Sequence, residues 1–221
     1  MKGIMLNEHV GLLTATLNGM KTRTARFEFN RKLSWEEDQF VEIIKKRSVT
    51  PNRDYIYKNS FLPCYDRHIN FRLRMFDDRY YVTFKPKYAV DEVVALKQSY
   101  EDIWHRKFRG YFHGKAEYKE KYGNLAGWSN KMFVKNDLMP HQVKITDIKL
   151  EQLQDISDED CMREGIWTPG HGIYYFPSAE KNMSAFDSPR KAFAALVDYA
   201  CGKGTWDRND INVVYYYELV K

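Results

Sequence analysis

The apolar positions of this chain change period several times, and each change marks an element. Val10, Leu13 and Leu17 fall at i, i+3 and i+7, a single helical face that must be buried. Asn7 stands where an N-cap belongs, and Gly19 where a left-handed residue ends such a helix. Ser34-Trp35-Glu36-Glu37 is a capping box ahead of Phe40, Val41, Ile43 and Ile44, which predicts a second helix of roughly three turns. Residues 50–68 hold no period. From Ile69 the period becomes two: Phe71, Leu73 and Met75 alternate with polar residues, turn at Asp77-Asp78, and return through Tyr80, Val82 and Phe84, a hairpin.

The second half continues in the same way. Val90 to Leu96 and Val143 to Leu150 are strand-like by β-branched content. Ser157 caps a short helix that ends at Glu164-Gly165, and residues 166–186, rich in Gly, Pro and aromatics, read as a loop. Ser188-Pro189 opens the clearest helix, with Phe193, Leu196, Val197 and Ala200 on one face and Gly202 at its end. Residues 211–219 form a closing strand that completes a sheet or barrel. At 221 residues the chain fits one large or two small domains.

Composition changes this picture little. Sixteen Tyr, thirteen Phe and five Trp supply apolar area, so a mean hydropathy of −0.64 does not imply disorder. A net charge of +5 mildly favours a polyanionic partner. Three cysteines, Cys64, Cys161 and Cys201, are widely spaced without a C-x-x-C, as expected of reduced thiols rather than a disulfide frame or zinc site. No signal-peptide core and no apolar run of about eighteen residues occurs. The expectation is a cytoplasmic protein with no membrane span, no metal and no cofactor.

Two stretches carry candidate chemistry. Lys21, Arg23 and Arg26, spaced by Thr22 and Thr24, offer donors to an anion; they would equally serve as a solvated turn. Residues 104–127 interleave Arg106, Lys107 and Arg109 with aromatic rings, as single-stranded nucleic acid requires; an amphipathic excursion packing its rings inward fits equally. Tyr100 and Trp167 are candidate stacking platforms. Gln98 and Ser99, at a strand exit, suit either fold or ligand.

Three motifs in register resemble the ASCH (activating signal cointegrator homology) family of the PUA-like superfamily. Gly19-Met20-Lys21-Thr22-Arg23-Thr24-Ala25-Arg26 resembles the family's G-x-K-T-x-T-x-R turn. Val90 to Leu96 with Gln98-Ser99-Tyr100, and Leu153-Gln154-Asp155-Ile156-Ser157 leading to Glu164-Gly165-Ile166, follow in order. The likeness runs from about residue 3 to 219, with 30–68 and 104–127 as insertions. Ala25 stands where many members carry a second arginine, and Asp91 where many carry glycine.

The resemblance implies a single α+β domain over 1–221, a small, mostly antiparallel PUA-like β-barrel with helices packed at its ends. It also implies a cleft beside the first helix that binds RNA, single-stranded nucleic acid or a modified nucleoside. Some short bacterial relatives are amidohydrolases that remove an acyl group from the exocyclic nitrogen of cytidine derivatives with a lysine, a threonine and a glutamate. Matched motif by motif, these fall on Lys21, Thr24 and Glu164. A regulatory interaction domain without catalysis is the third reading. Strict strand alternation sets Lys21 and Thr24 on opposite faces, so a shared site requires a turn between them. Lysine serves as a base only with a depressed pKa: Arg23 and Arg26 push that way, and Glu164 opposes it.

Overall fold

The computed structural model describes residues 1–7, 11–26, 71–75, 80–84, 86–109, 114–177 and 184–220, with the backbone alone at 71–75, 80–84, 150 and 211. The capping box at Ser34, the stretch 50–68, the 30–68 insertion, Cys64 and the Asp77-Asp78 turn lie outside them. The strands are β1 (Gly3–Met5), β2 (Arg23–Arg26), β3 (Phe71–Met75), β4 (Tyr80–Phe84), β5 (Val93–Lys97), β6 (Gln142–Gln152), β7 (Trp167–Gly170), β8 (Ile173–Tyr175) and β9 (Ile211–Leu219). The helices are α1 (Leu12–Leu17), α2 (Tyr100–Lys107), α3 (Lys115–Tyr122), α4 (Asp158–Arg163), α5 (Pro189–Cys201) and α6 (Thr205–Arg208).

Five strands form one mixed sheet in the order β1-β5-β6-β9-β2. Only β1 and β5 pair in parallel; the other three pairings are antiparallel. The architecture is α+β, and the expected closed barrel is not what the described strands form: no main-chain ladder joins the edge strands β1 and β2 among the described residues. The two edges nevertheless approach each other, since the Arg26 Nη2 at the end of β2 donates to the Met5 carbonyl at the end of β1.

Period-two burial explains the sheet. Ile4 and Leu6, Val94 and Leu96, Val143 and Ile145, and Val213, Tyr215 and Tyr217 all enter one core. In β6 the phase changes at a bulge between Ile145 and Asp147. The extra residue, Thr146, turns Ile148 inward where Asp147 would otherwise point. A second core gathers Leu153, Ile156, Cys161, Ile166, Phe193, Leu196 and Val197, joining α4 and α5 to the end of β6. A third holds Ala95, Tyr100, Ile103, Val134 and Met139 beneath α2.

Caps fell where hydroxyls stood. The Ser157 hydroxyl accepts from the Asp160 N–H and that of Ser188 from the Lys191 N–H, with Pro189 in the first turn. Four elements differ from the sequence reading. α1 begins at Leu12 behind Gly11 at φ 67°, with no side-chain cap on the helix, and the Asn7 carbonyl accepts from the Leu12 N–H. β5 begins at Val93 because Asp91 adopts φ 64° and residues 90–92 turn. The 166–186 loop contains the β7–β8 hairpin, turned by His171 and Gly172 at φ 58° and 70°, the left-handed pair of a two-residue turn. The helix α6 follows Gly202 without a forecast.

Burial also sets thiol chemistry. Cys161 is fully buried in the second core, and burial pushes its thiol from 9.0 up to about 12, with Asp158 adding to the rise. A raised folded pKa holds its stabilising contribution in full below the unfolded value and loses it as pH climbs toward the folded one. Denaturant titrations are therefore expected to show the Cys161 contribution intact below about pH 9 and eroding above it; a Cys161→Ala variant should show a shallower decline. Peptide mapping after alkylation at pH 8 is expected to find exposed Cys201 modified and Cys161 protected.

Candidate functional site

α1 ends at Asn18, and Gly19 follows at φ 73°, the left-handed conformation that glycine supplies without cost. The Met20 and Lys21 N–H groups both donate back to the Ala15 carbonyl. Lys21 then pairs with Glu164 as an isolated bridge, and the Thr22 N–H donates to the Arg163 carbonyl before β2 begins at Arg23. This crossing interrupts strand alternation, so Lys21 and Thr24 line the same cavity. Across from it, Glu164 caps the end of α4, and Gly165 turns away at φ 104°. A Cβ at Gly165 would lie 3.5 Å from Ala15 Cβ and 3.6 Å from Lys21 Cβ, ordinary contact distances, so it is the positive φ of the turn, rather than the packing against α1, that selects glycine here.

The centre is an almost dry charge cluster. Lys21 is 1% exposed, Arg23 1% and Glu164 4%. The Lys21 Nζ donates to Glu164 Oε2 at 2.5 Å, to the Arg23 carbonyl at 2.7 Å and to the Glu164 carbonyl at 3.1 Å. Three acceptors match the three protons of an ammonium. Glu164 Oε1 accepts from Arg23 Nη1 at 2.8 Å and from the Ala25 N–H at 2.9 Å. Arg23 Nη2 reaches Glu151 at 2.5 Å, and its guanidinium lies 5.7 Å from the centre of the Tyr216 ring. The Tyr216 hydroxyl in turn donates to Asp160 at 2.9 Å.

These contacts have opposite consequences for the two cations. Burial pulls the Lys21 ammonium below its ordinary pKa; Glu164 resists, and the Arg26 and Arg23 charges add to the fall. For Arg23, burial also disfavours the charge, but Glu164 and Glu151 outweigh it and the pKa rises. Asp160 is disfavoured as an anion by burial, yet the Tyr216 hydroxyl, Arg23 and Lys149 hold its carboxyl below the usual value.

Beside this cluster opens a cavity of about 220 Å³. Leu12, Leu153, Phe193, Leu196 and Val197 form its apolar wall, and Lys21, Thr24, Arg26, Glu164 and Cys201 its polar side. Thr24 is 5% exposed. Its hydroxyl makes no hydrogen bond among the described residues and is left for whatever enters.

The structure thus gathers Lys21, Thr24, Arg26 and Glu164, with Arg23 behind them. The remaining candidates lie elsewhere. Gln98 is fully buried at the end of β5, its carboxamide unpartnered and its N–H on the Met139 sulfur. The Ser99 hydroxyl caps α2, accepting from the Asp102 N–H. Tyr100 is 2% exposed, and its hydroxyl accepts from the Lys135 N–H. Trp167 stacks on Tyr175 across the β7–β8 hairpin at 5.0 Å and 25°. Arg106, Lys107 and Arg109 are exposed at the end of α2 and just beyond it, near Trp104, whose ring lies 4.4 Å from the Lys115 ammonium.

Sequence reasoning missed the cavity wall, because Phe193, Leu196 and Val197 read only as core. It also missed Glu151, Asp160 and Tyr216 as partners of Arg23, which no local spacing announces. Among the described residues no group of three or more His, Cys, Asp or Glu is placed to hold a metal ion, and no helix is long and apolar enough to cross a membrane. No protein-family model matches the chain, and no curated protein or solved structure does either.

Proposed function

We propose that this chain binds RNA or a modified nucleotide through one base or nucleoside seated in the cavity between α1, β2 and α5. The observation that carries the reading is the cavity itself: an apolar wall facing a polar side that contains an unpartnered hydroxyl. Its volume of about 220 Å³ falls below the ~300–1,000 Å³ of drug-sized pockets, which suits a single base and leaves no room for a strand. The likeness to ASCH proteins supports the same reading, and the approach of β1 to β2 supports a PUA-like barrel as its scaffold.

The exposed Arg106, Lys107 and Arg109 are placed by this reading on the phosphates of a longer strand. Filter binding of single-stranded RNA over a salt series is expected to give a linear log-log decline. Replacing all three with alanine should reduce the slope by about 2, since each phosphate contact contributes roughly 0.7 for single strands. An unchanged slope removes these residues from the interface, and no binding at low salt removes the reading.

Thr24 favours a second reading, hydrolysis of an N4-acylated cytidine. The Thr24 oxygen would attack the acyl carbon while its proton passes to Lys21 in its neutral form. The carbon–nitrogen bond then breaks, the cytidine amine takes up that proton by way of Lys21 or Glu164, and water hydrolyses the threonyl ester. Burial favours the neutral lysine; the three acceptors around Nζ hold its proton. Chromatographic assay of N4-acetylcytidine distinguishes the readings. On the hydrolytic one, Thr24→Val abolishes acetate release while calorimetry still records binding, and Lys21→Met lowers kcat by about 10²–10⁴. Binding without turnover in the wild type leaves the first reading alone.

A further inference from the structure

The charges around the cavity are not balanced, and the imbalance identifies what its occupant carries. Lys21 and Arg23 are both satisfied by carboxylates. Glu164, for its part, accepts from Lys21, Arg23 and the Ala25 N–H. Lys21 thus has no proton left for a ligand, and Arg23, although its Nε also lacks a hydrogen-bond partner, is charge-compensated and does not line the cavity. Arg26 differs: it lines the same cavity, and no carboxylate pairs with it among the described residues. Its Nη2 donates to the Met5 carbonyl, while its Nε is buried with no hydrogen-bond partner.

A guanidinium is always charged, and its buried N–H groups are costly when left unmade. The Met5 carbonyl fixes the fork but contributes no negative charge. Two residues back along β2, Thr24 lies on the same face at a spacing of about 7 Å. Its hydroxyl is likewise unused. A guanidinium and a hydroxyl side by side, both open to one cavity, form a receptor for an oxyanion. Phe193 and Leu196 face them from the apolar wall.

We propose that the ligand of this cavity is an anion: a base-sized body against Phe193 and Leu196, carrying a phosphate or carboxylate that Arg26 and Thr24 hold. This rests on the nucleoside reading above and narrows it from neutral nucleosides to charged ones. The oxyanion has two chemical sources, a phosphate on the sugar or a carboxylate on an acyl arm of the base.

Isothermal titration calorimetry with three probes separates them: cytidine, cytidine 5′-monophosphate, and cytidine bearing a succinyl group on its exocyclic nitrogen. One charged probe is expected to bind about tenfold or more tightly than cytidine, as befits a charge-assisted hydrogen bond. Whichever gains identifies the source. Arg26→Gln should erase that preference, while Arg26→Lys, which keeps the charge, should retain part of it. Should Arg26→Gln fail to fold, the wild-type preference must still shrink between 50 and 500 mM salt. Equal affinity for all three probes, or a preference that survives Arg26→Gln, overturns the anionic inference and leaves the nucleoside reading standing. No binding of any probe overturns both.

Discussion

Replacing Glu164 by alanine is expected to cost about 3–5 kcal/mol of folding stability, the range found when one partner of a buried ion pair is removed. Glu164 receives Lys21, Arg23 and the Ala25 N–H on its two carboxylate oxygens. Arg23 would keep Glu151 at 2.5 Å. Lys21, 1% exposed, would keep only two carbonyls and no counter-charge. Glutamine at this position retains the shape and an acceptor but not the charge, so Glu164→Gln should recover only part of the loss.

The sign of the pH dependence separates this cause from a simple cavity. Lys21 already has a folded pKa below its ordinary 10.5, so the native state binds fewer protons there than the unfolded chain, and its contribution becomes more favourable as pH rises toward 10.5. Without Glu164 the folded pKa falls further. Between pH 6 and 9 the alanine variant should therefore regain stability with rising pH more steeply than the wild type, by at most about 1.4 kcal/mol per pH unit. Urea titrations across that range provide the check, and parallel curves for variant and wild type would assign the loss to packing instead.

How much of this was legible beforehand depends on the range of the interaction concerned. The alternation in Val213, Tyr215 and Tyr217 and the hydroxyl caps at Ser157 and Ser188 are local, and the strand and both helices stand where they predict. Gly19 ends α1 as read. The failures are also physical. Asp91 and His171 adopt left-handed backbone without being glycine, so β5 starts late and a hairpin emerges from an apparent loop. Barrel closure is a long-range property of strand edges, which no period records.

The site divides in the same way. That Lys21, Thr24 and Glu164 face one cavity came from likeness to a motif, because strict alternation argued against it. The break at Thr22, made by its N–H bonding to Arg163, is a contact between segments some hundred and forty residues apart. The carboxylates of Glu151 and Asp160 around Arg23 arise from β6 and α4 meeting β2, and nothing in residues 21–26 foretells them. Ser99 and Tyr100 illustrate the converse: polar groups at a strand exit that the fold itself consumes, one as a cap and one as an anchor for the Lys135 backbone.

Phe193→Ala is expected to cost about 3–5 kcal/mol, the usual penalty for emptying a buried aromatic position. Phe193 is 3% exposed in the second core and meets the Trp206 ring edge-on, at 6.0 Å and 85°. Against the 5–15 kcal/mol that hold a typical domain, such a loss removes a large fraction of stability. The same ring walls the ligand cavity, so binding should fall as well, and that variant alone cannot separate fold from site. Ala200 can. It lies half-buried on α5, lining the cavity without belonging to the fully buried set. Ala200→Phe places a ring into open space, so thermal unfolding is expected to shift little while nucleoside binding is lost. If Ala200→Phe binds as the wild type does, the ligand does not enter between α5 and β2, and the wall that Phe193 builds serves packing alone.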